Sequence, residues 1–322
     1  MRPADSAQAG AVSYRRATPS DVRPAYEVFR RSLFDYLFRQ ALVDEATAKD
    51  PPIESGWARQ AAWIEHLWAT SAENWVAIDE AGRVIGWAMS TERDGVLELT
   101  HFFVEPGIQA RGVGRALLER AFPVGSGRHR IIVATQDAPA LALYLRFDVG
   151  YVTTSVDLIV RPTSTPRTSD LVFERLGVDE ASVGVVARVE EAVLGHRRDL
   201  DTRFLLGMRP VWVARRAGDV VGFGFGPSPR PDPAIDDGPV ASGPMAAFDP
   251  ADLPAIIDHV VNEAAAANGG EFLISCPMSN RTALLHLLRR GYRIDPFYIK
   301  VLADDTSMQL DRWIHTGPVF IL

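Results

Sequence analysis

The run Trp75-Val-Ala-Ile-Asp-Glu-Ala-Gly-Arg-Val-Ile-Gly-Trp87 returns later as Trp212-Val-Ala-Arg-Arg-Ala-Gly-Asp-Val-Val-Gly-Phe223. Each reads as a strand, a glycine-bearing tight turn and a second strand, and the two differ by one residue in the turn. A further pair follows: Ala142-Leu-Tyr-Leu-Arg-Phe-Asp-Val-Gly-Tyr151 is answered by Ala283-Leu-Leu-His-Leu-Leu-Arg-Arg-Gly-Tyr292. A repeat of about 140 residues is too long for a solenoid unit, so the chain is a domain duplicated in tandem. Helix starts agree. Thr18-Pro-Ser-Asp21 caps a segment with Val22, Ala25, Val28, Phe29, Ser32 and Leu33 at helical spacing, and Asp179-Glu-Ala opens another through Val185, Val186, Val189 and Val193. Within a copy the expected order is helix, helix, hairpin, strand, helix, strand, helix, strand. That order implies an α/β (α+β) fold with a mixed, largely antiparallel sheet flanked by helices. The polar segment 161–169, with two prolines, reads as a linker between domains at 1–160 and 170–322.

Bulk composition narrows the function. The length of 322 residues suits two domains, and 47% hydrophobic with 23% charged residues is ordinary for a globular chain. A net charge of −7 without a Lys/Arg run argues against nucleic-acid binding and is compatible with a cationic acceptor. No apolar run is long enough for a membrane helix, and the N-terminus lacks the apolar core of a signal peptide. The single cysteine, Cys276, fits a reducing compartment, so a cytoplasmic location is expected. It reads as a packed thiol, and the seven histidines show no metal-ligand spacing, so no metal is expected.

The strongest chemical signal is Val104-Glu-Pro-Gly-Ile-Gln-Ala-Arg-Gly-Val-Gly114. It follows a strand candidate, Val96–Val104, and precedes a helix face of Val113, Ala116, Leu117, Leu118, Ala121 and Phe122 that Pro123 ends. Glycines at a helix start let unpaired N–H groups approach a bulky anion, which suits a phosphate or pyrophosphate. Gly107-x-x-x-x-Gly112 has P-loop spacing, yet Val113-Gly114 stands where Lys-Ser/Thr is required. Gly112-x-Gly114-x-x-Leu117 lacks the third glycine of a dinucleotide loop and sits too far from its strand. Val-x-Pro-x-x-Gln-x-x-Gly-x-Gly is complete.

These residues resemble the GNAT superfamily of N-acetyltransferases. Gln109-Ala-Arg-Gly-Val-Gly114 is similar to its Gln/Arg-x-x-Gly-x-Gly/Ala coenzyme-A loop, and Ala142-Leu-Tyr144 is similar to its late-helix signature. One departure is that Asp148 occupies the usual glycine slot, with Gly150-Tyr151 two residues later. The resemblance covers nearly all of 13–160. It implies that acetyl-CoA, as co-substrate, rests its pyrophosphate on Gln109, Ala110, Arg111, Gly112, Val113, Gly114 and Arg115. Its pantetheine arm pairs with Phe102, Phe103 and Val104 like an added strand. Tyr144 is then the acid for the departing thiolate, Glu98 the base, and His101 a further candidate whose strand position faces away from Glu98. The acceptor is expected to be a primary amine on a small molecule or peptide, and the protein a monomer or homodimer. By the same analogy, aromatic and acidic residues of Phe38–Trp75 (Glu54, Trp57, Trp63, Glu65, His66, Trp68) border the acceptor.

The second half departs from this pattern. It has no Gln/Arg-x-x-Gly-x-Gly, and Asp249-Pro-Ala-Asp252 precedes a helix from Leu253 to about Ala267, where two carboxylates are expected to cap the amides and repel an anion. The counterpart of Tyr144 is Leu285 or Leu287, depending on the gap. Two functions follow: an N-acetyltransferase working through its first half, or a non-catalytic acyl-CoA-binding regulatory or scaffold protein.

Overall fold

The structure is a computed structural model describing residues 11–109, 112–161, 169–229, 238–268 and 270–317. The chain divides into two compact units, 1–91 with 99–124 and 92–98 with 125–322.

The first unit holds β1 (Ser13–Arg16), α1 (Val22–Arg39), α2 (Glu45–Lys49), α3 (Ile53–Ala69) and β2 (Ser71–Ile78). It continues with most of β3 (Val84–Arg93), β4 (Val96–Val104) from Leu99 onward, and α4 (Val113–Ala121). The sheet runs β1-β2-β3-β4, with β1 antiparallel to β2 and β2 to β3. The short β1 carries only polar and aromatic residues, so no apolar pattern announces it. Asp21 accepts from the Thr18 N–H (2.8 Å) and hydroxyl (2.7 Å), fixing the entry to α1. Arg15 pairs with the same carboxylate, and this bond above all lowers the Asp21 pKa to about 2. Val113, Leu117, Leu118 and Ala121 bury one face of α4. Gly86 of β3 admits Leu117, whose Cδ1 would stand 2.9 Å from a Cβ added there.

The second unit shows how the halves of the sequence are joined. Its elements are β5 (His129–Ala134), α5 (Ala138–Tyr144), β6 (Gly150–Val160), β7 (Val172–Arg175), α6 (Glu180–Leu194), α7 (Asp199–Met208), β8 (Val211–Arg216) and β9 (Asp219–Phe225). They are followed by β10 (Val240–Ala241), β11 (Met245–Ala247), α8 (Leu253–Asn268), β12 (Phe272–Pro277), α9 (Arg281–Arg289), β13 (Arg293–Ala303) and β14 (Trp313–Ile314). One sheet runs β14-β11-β9-β8-β7. Another order, β5-β13-β6-β12-β10, interleaves the repeats. β13 pairs antiparallel with β5 (Lys300↔Ala134 to Ala303↔Ile131) and with β6. β6 in turn pairs with β12, from Phe272↔Val160 to Pro277↔Ser155. Each half therefore gives its last long strand to the other's sheet. Of the expected linker, 162–168 lie outside the described residues.

A core of Val156, Leu158, Ile256, Ile257, Val260, Ile274, Leu287 and Ile314 draws on both sides of that linker. Asp179 caps α6 by accepting from the Ser182 N–H at 2.8 Å. Deeper in the same unit, Arg198 pairs with Glu190 (2.5 Å) and Arg93 with Asp201 (2.6 Å), all four side chains being buried. Such pairs are costly to break singly, since the remaining charge is left without a partner. Among the described residues, no helix is long and apolar enough to cross a membrane.

Candidate active site and coenzyme loop

β4 ends in a carbonyl that two side chains hold. Val104 O accepts from Ser32 Oγ at 2.8 Å and from Gln109 Nε2 at 3.2 Å. One residue on, Arg31 Nε meets Glu105 Oε1 at 2.8 Å, and the Glu105 N–H donates to Ile85 O at 2.9 Å. Helix α1 thus anchors the start of the loop twice. Half of the signal for Ser32 lies in the sequence: a hydroxyl at an apolar position of α1 asks for a buried acceptor, but does not say which.

The loop re-enters helix at Gly112, whose φ of +83° lies in the left-handed region that costs an L side chain about 1–2 kcal/mol. Among the described residues no side chain caps α4 there, and no acidic residue lies in its first turn. Its first hydrogen bond runs from the Ala116 N–H to Gly112 O at 3.0 Å, so the amides of Val113, Gly114 and Arg115 precede the intrahelical ladder. Around Gly112 an added Cβ would meet nothing within 4 Å. Gly114 differs: its Cβ would stand 3.1 Å from Phe102 Cζ and 3.7 Å from Val104 Cγ2. That absence of a side chain lets the helix start lie on β4. Arg115 is exposed and pairs with Glu119 at 2.9 Å. Ala110 and Arg111 lie outside the described residues.

Strand alternation divides β4. Phe102 and Val104 face Gly114, whereas Phe103 packs on Phe29 with ring centroids 4.6 Å apart. His101 shares that second side. It stacks on Trp87 at 4.4 Å, meets Phe29 edge-on and approaches Thr100 Oγ1 at 3.2 Å. Only 1% exposed, its imidazole has its pKa lowered to about 3 by burial, so it is neutral at pH 7. Glu98 is also buried, and the division into units falls directly after it.

Tyr144, in the second unit, is the last residue of α5. Asp137 caps that helix, and the Tyr144 phenol is buried. Burial, with a smaller contribution from the Asp137 charge, raises its pKa and keeps it protonated. A short 3₁₀ turn, Leu145–Phe147, follows, and Asp148 adopts φ +57°. Aspartate tolerates this conformation better than most side chains, which is how it fills a glycine's place.

The acidic and aromatic residues of Phe38–Trp75 do not converge. Glu54 is ion-paired with Arg23, and Glu65 is exposed. Trp57 packs edge-on against Tyr26 at 4.9 Å, Trp63 is buried beside His66, and Trp68 packs on Trp87. Trp63 is thus a core residue of the helical layer, Trp57, His66 and Trp68 are half-buried, and Glu54 and Glu65 lie at the surface.

In the second half, Asp249 accepts from the Ala251 N–H at 2.9 Å, ahead of α8. Asp252 does not serve the amides as expected; it turns to Arg216, at 2.7 and 3.1 Å. After α9 the left-handed residue is Gly291, φ +82°, the counterpart of Asp148. Four positions before it is Leu287, 0% exposed, as Tyr144 stands four before Asp148; Leu285 is 37% exposed. Leu287 therefore takes the tyrosine's place. Among the described residues, no cluster of His, Cys, Asp or Glu could hold a metal ion.

Residues 38–149 match the family described as "Acetyltransferase (GNAT) family". Solved structures extend the likeness across both halves. A Pyrococcus horikoshii protein assigned to the acetyltransferases aligns over 94% of this chain and 92% of its own, with 16% identity and a TM-score of 0.63. A GCN5-related N-acetyltransferase from Sphaerobacter thermophilus aligns over 91% and 95%, with 14% identity and a TM-score of 0.59. A tandem GNAT protein from the clavulanic acid biosynthesis pathway aligns over 91% and 98%, at 11% identity and a TM-score of 0.55. No curated protein matches the sequence. Residues 38–149 therefore form a GNAT acetyltransferase domain within the chain. The whole has the tandem GNAT-like fold.

Proposed function

We propose that the protein is an N-acetyltransferase that moves the acetyl group of acetyl-CoA to a primary amine of a small molecule or peptide, using its first half. The carrying observation is the uncapped start of α4 at Gly112–Gly114, laid against Phe102 and Val104 of β4. There the pyrophosphate rests on the amides from Gln109 to Arg115, and the pantetheine arm adds along Phe102–Val104. Gln109 has a second task, since its amide already ties the loop to Val104 O.

In this reading the amine attacks the thioester carbonyl, forming the C–N bond as the C–S bond breaks and the thiolate leaves. Tyr144 donates to the departing sulfur, and its burial keeps the proton in place at neutral pH. Glu98 takes the ammonium proton, directly or through water. His101, neutral in its aromatic surround, ranks third and would act as a hydrogen-bonding neighbour of Thr100. The cytoplasm, where acetyl-CoA is made available and thiols stay reduced, suits the buried thiol Cys276.

A thiol-release assay with acetyl-CoA across polyamines, aminoglycosides, amino acids and peptides tests this. Turnover with at least one class is expected. Saturable acetyl-CoA binding without turnover on any amine would favour the regulatory or scaffold role instead.

A further inference from the structure

In the second half, the strand that continues the sheet beyond the repeated hairpin is β11, which pairs with β9 on one edge. Its other edge is taken by β14: Met245 pairs with Ile314 and Ala246 with Trp313, antiparallel. The same segment also reaches β12. The His315 N–H donates to Ser275 O at 2.9 Å, and Asn280 Nδ2 donates to Trp313 O at 3.0 Å. His315 Nε2 lies 2.7 Å from Ser155 Oγ of β6. Arg209 ties the ends together by donating to Gly243 O (2.6 Å) and to Gly317 O. Trp313, Ile314, His315 and Thr316 are all fully buried.

By place in the sheet, beside the second hairpin strand, β11 is the counterpart of β4, and β12, which follows α8 as β5 follows α4, is the counterpart of β5. The edge β14 covers is therefore the one that, in the proposed function on which this inference rests, receives the pantetheine arm in the first half. An arm of that kind recognises a strand through its own amides, as an added strand does. Peptide groups of 313–315 already fill those main-chain bonds. We propose that residues 313–316 are a built-in occupant of the acyl-CoA arm's place in the second half. The second half is thereby closed to coenzyme by the chain itself. The closure is independent of the Asp249 cap, which separately removes the anion-binding helix start.

Hydrogen–deuterium exchange on the full chain tests the block, alone and with saturating acetyl-CoA or pantetheine, the latter needing no pyrophosphate cradle. Amides of 313–316 and 245–247 should exchange about 1,000-fold or more slower than in an unfolded chain, and neither ligand should change them. Fast exchange of 313–316 without ligand, or acceleration by either ligand, overturns the proposal. Peptides covering 102–109 and 112–114 read the first half separately. If they fail to slow with acetyl-CoA, the coenzyme reading of the first half fails, while the 313–316 result still decides the block.

Discussion

The two helix starts that follow the repeated hairpins are built from opposite chemistry. At α4 a left-handed glycine leads into the helix with no side-chain cap, and a second glycine lets the turn lie on a phenylalanine of the preceding strand. Ahead of α8 an aspartate accepts the N–H of Ala251 in the turn that leads into the helix, and the neighbouring strand edge is covered by β14. Where α5 ends in a buried tyrosine, α9 carries a buried leucine. One duplicated fold has thus left a helix start without a side-chain cap in one copy and placed a capping aspartate ahead of it in the other. The lesson is that duplication preserves the hairpin and helix scaffold while the polar termini diverge.

The largest effect expected from breaking this contrast is at Gly112 and Gly114. Glutamate at either position adds a carboxylate to the helix start, with backbone strain at 112 and a clash with Phe102 at 114. Acetyl-CoA affinity should fall by about 100-fold or more in both variants, two charge and packing penalties of about 1–3 kcal/mol acting together. Circular dichroism would verify that the fold survives. Asp249→Ala, the reciprocal change in the second half, should leave that affinity alone and cost about 1 kcal/mol of stability in urea unfolding.

Tyr144→Phe sharpens the contrast at the second position. It should lower kcat by about 100-fold with acetyl-CoA affinity within about 2-fold of wild type, given a substrate amine. Leu287→Ala, its counterpart, should cost about 2–5 kcal/mol of stability without touching coenzyme affinity.

A smaller effect separates the halves by pH. Burial holds His101 to a pKa of about 3 in the first half, and His196 and His315 to about 4 and 3 in the second. Unfolded, each titrates near 6.5, so below that pH the unfolded chain binds more protons and stability falls as pH drops toward 4. Below about 3 this contribution levels off. Urea midpoints from pH 7 to 4 should fall steadily, and His101→Phe should make the slope shallower than in wild type.

Much of this was legible in the sequence, and the residues show why. The hairpins announced themselves because period-two apolar patterns and turn glycines are local signals, and the loop because Gln109, Gly112 and Gly114 stand at fixed offsets. Strand β1, Ser-Tyr-Arg-Arg, was missed since its pairing with β2 comes from backbone rather than apolar side chains. The exchange of β6 and β13 was equally invisible: alternation tells a strand which face to bury but not whose edge to join. Ser32 and Arg31, which fix the loop's entry, required knowing that α1 lies beside the end of β4. Asp252 could not be told from a helix cap until Arg216 was placed beside it.

The central claim is that the first half alone receives the coenzyme. Calorimetric titration of acetyl-CoA into the full chain measures this most directly, with wild type and Gly114→Glu compared side by side. The account predicts one molecule bound per chain in wild type and none in the variant. Two molecules per chain, or undiminished binding by Gly114→Glu, would contradict it.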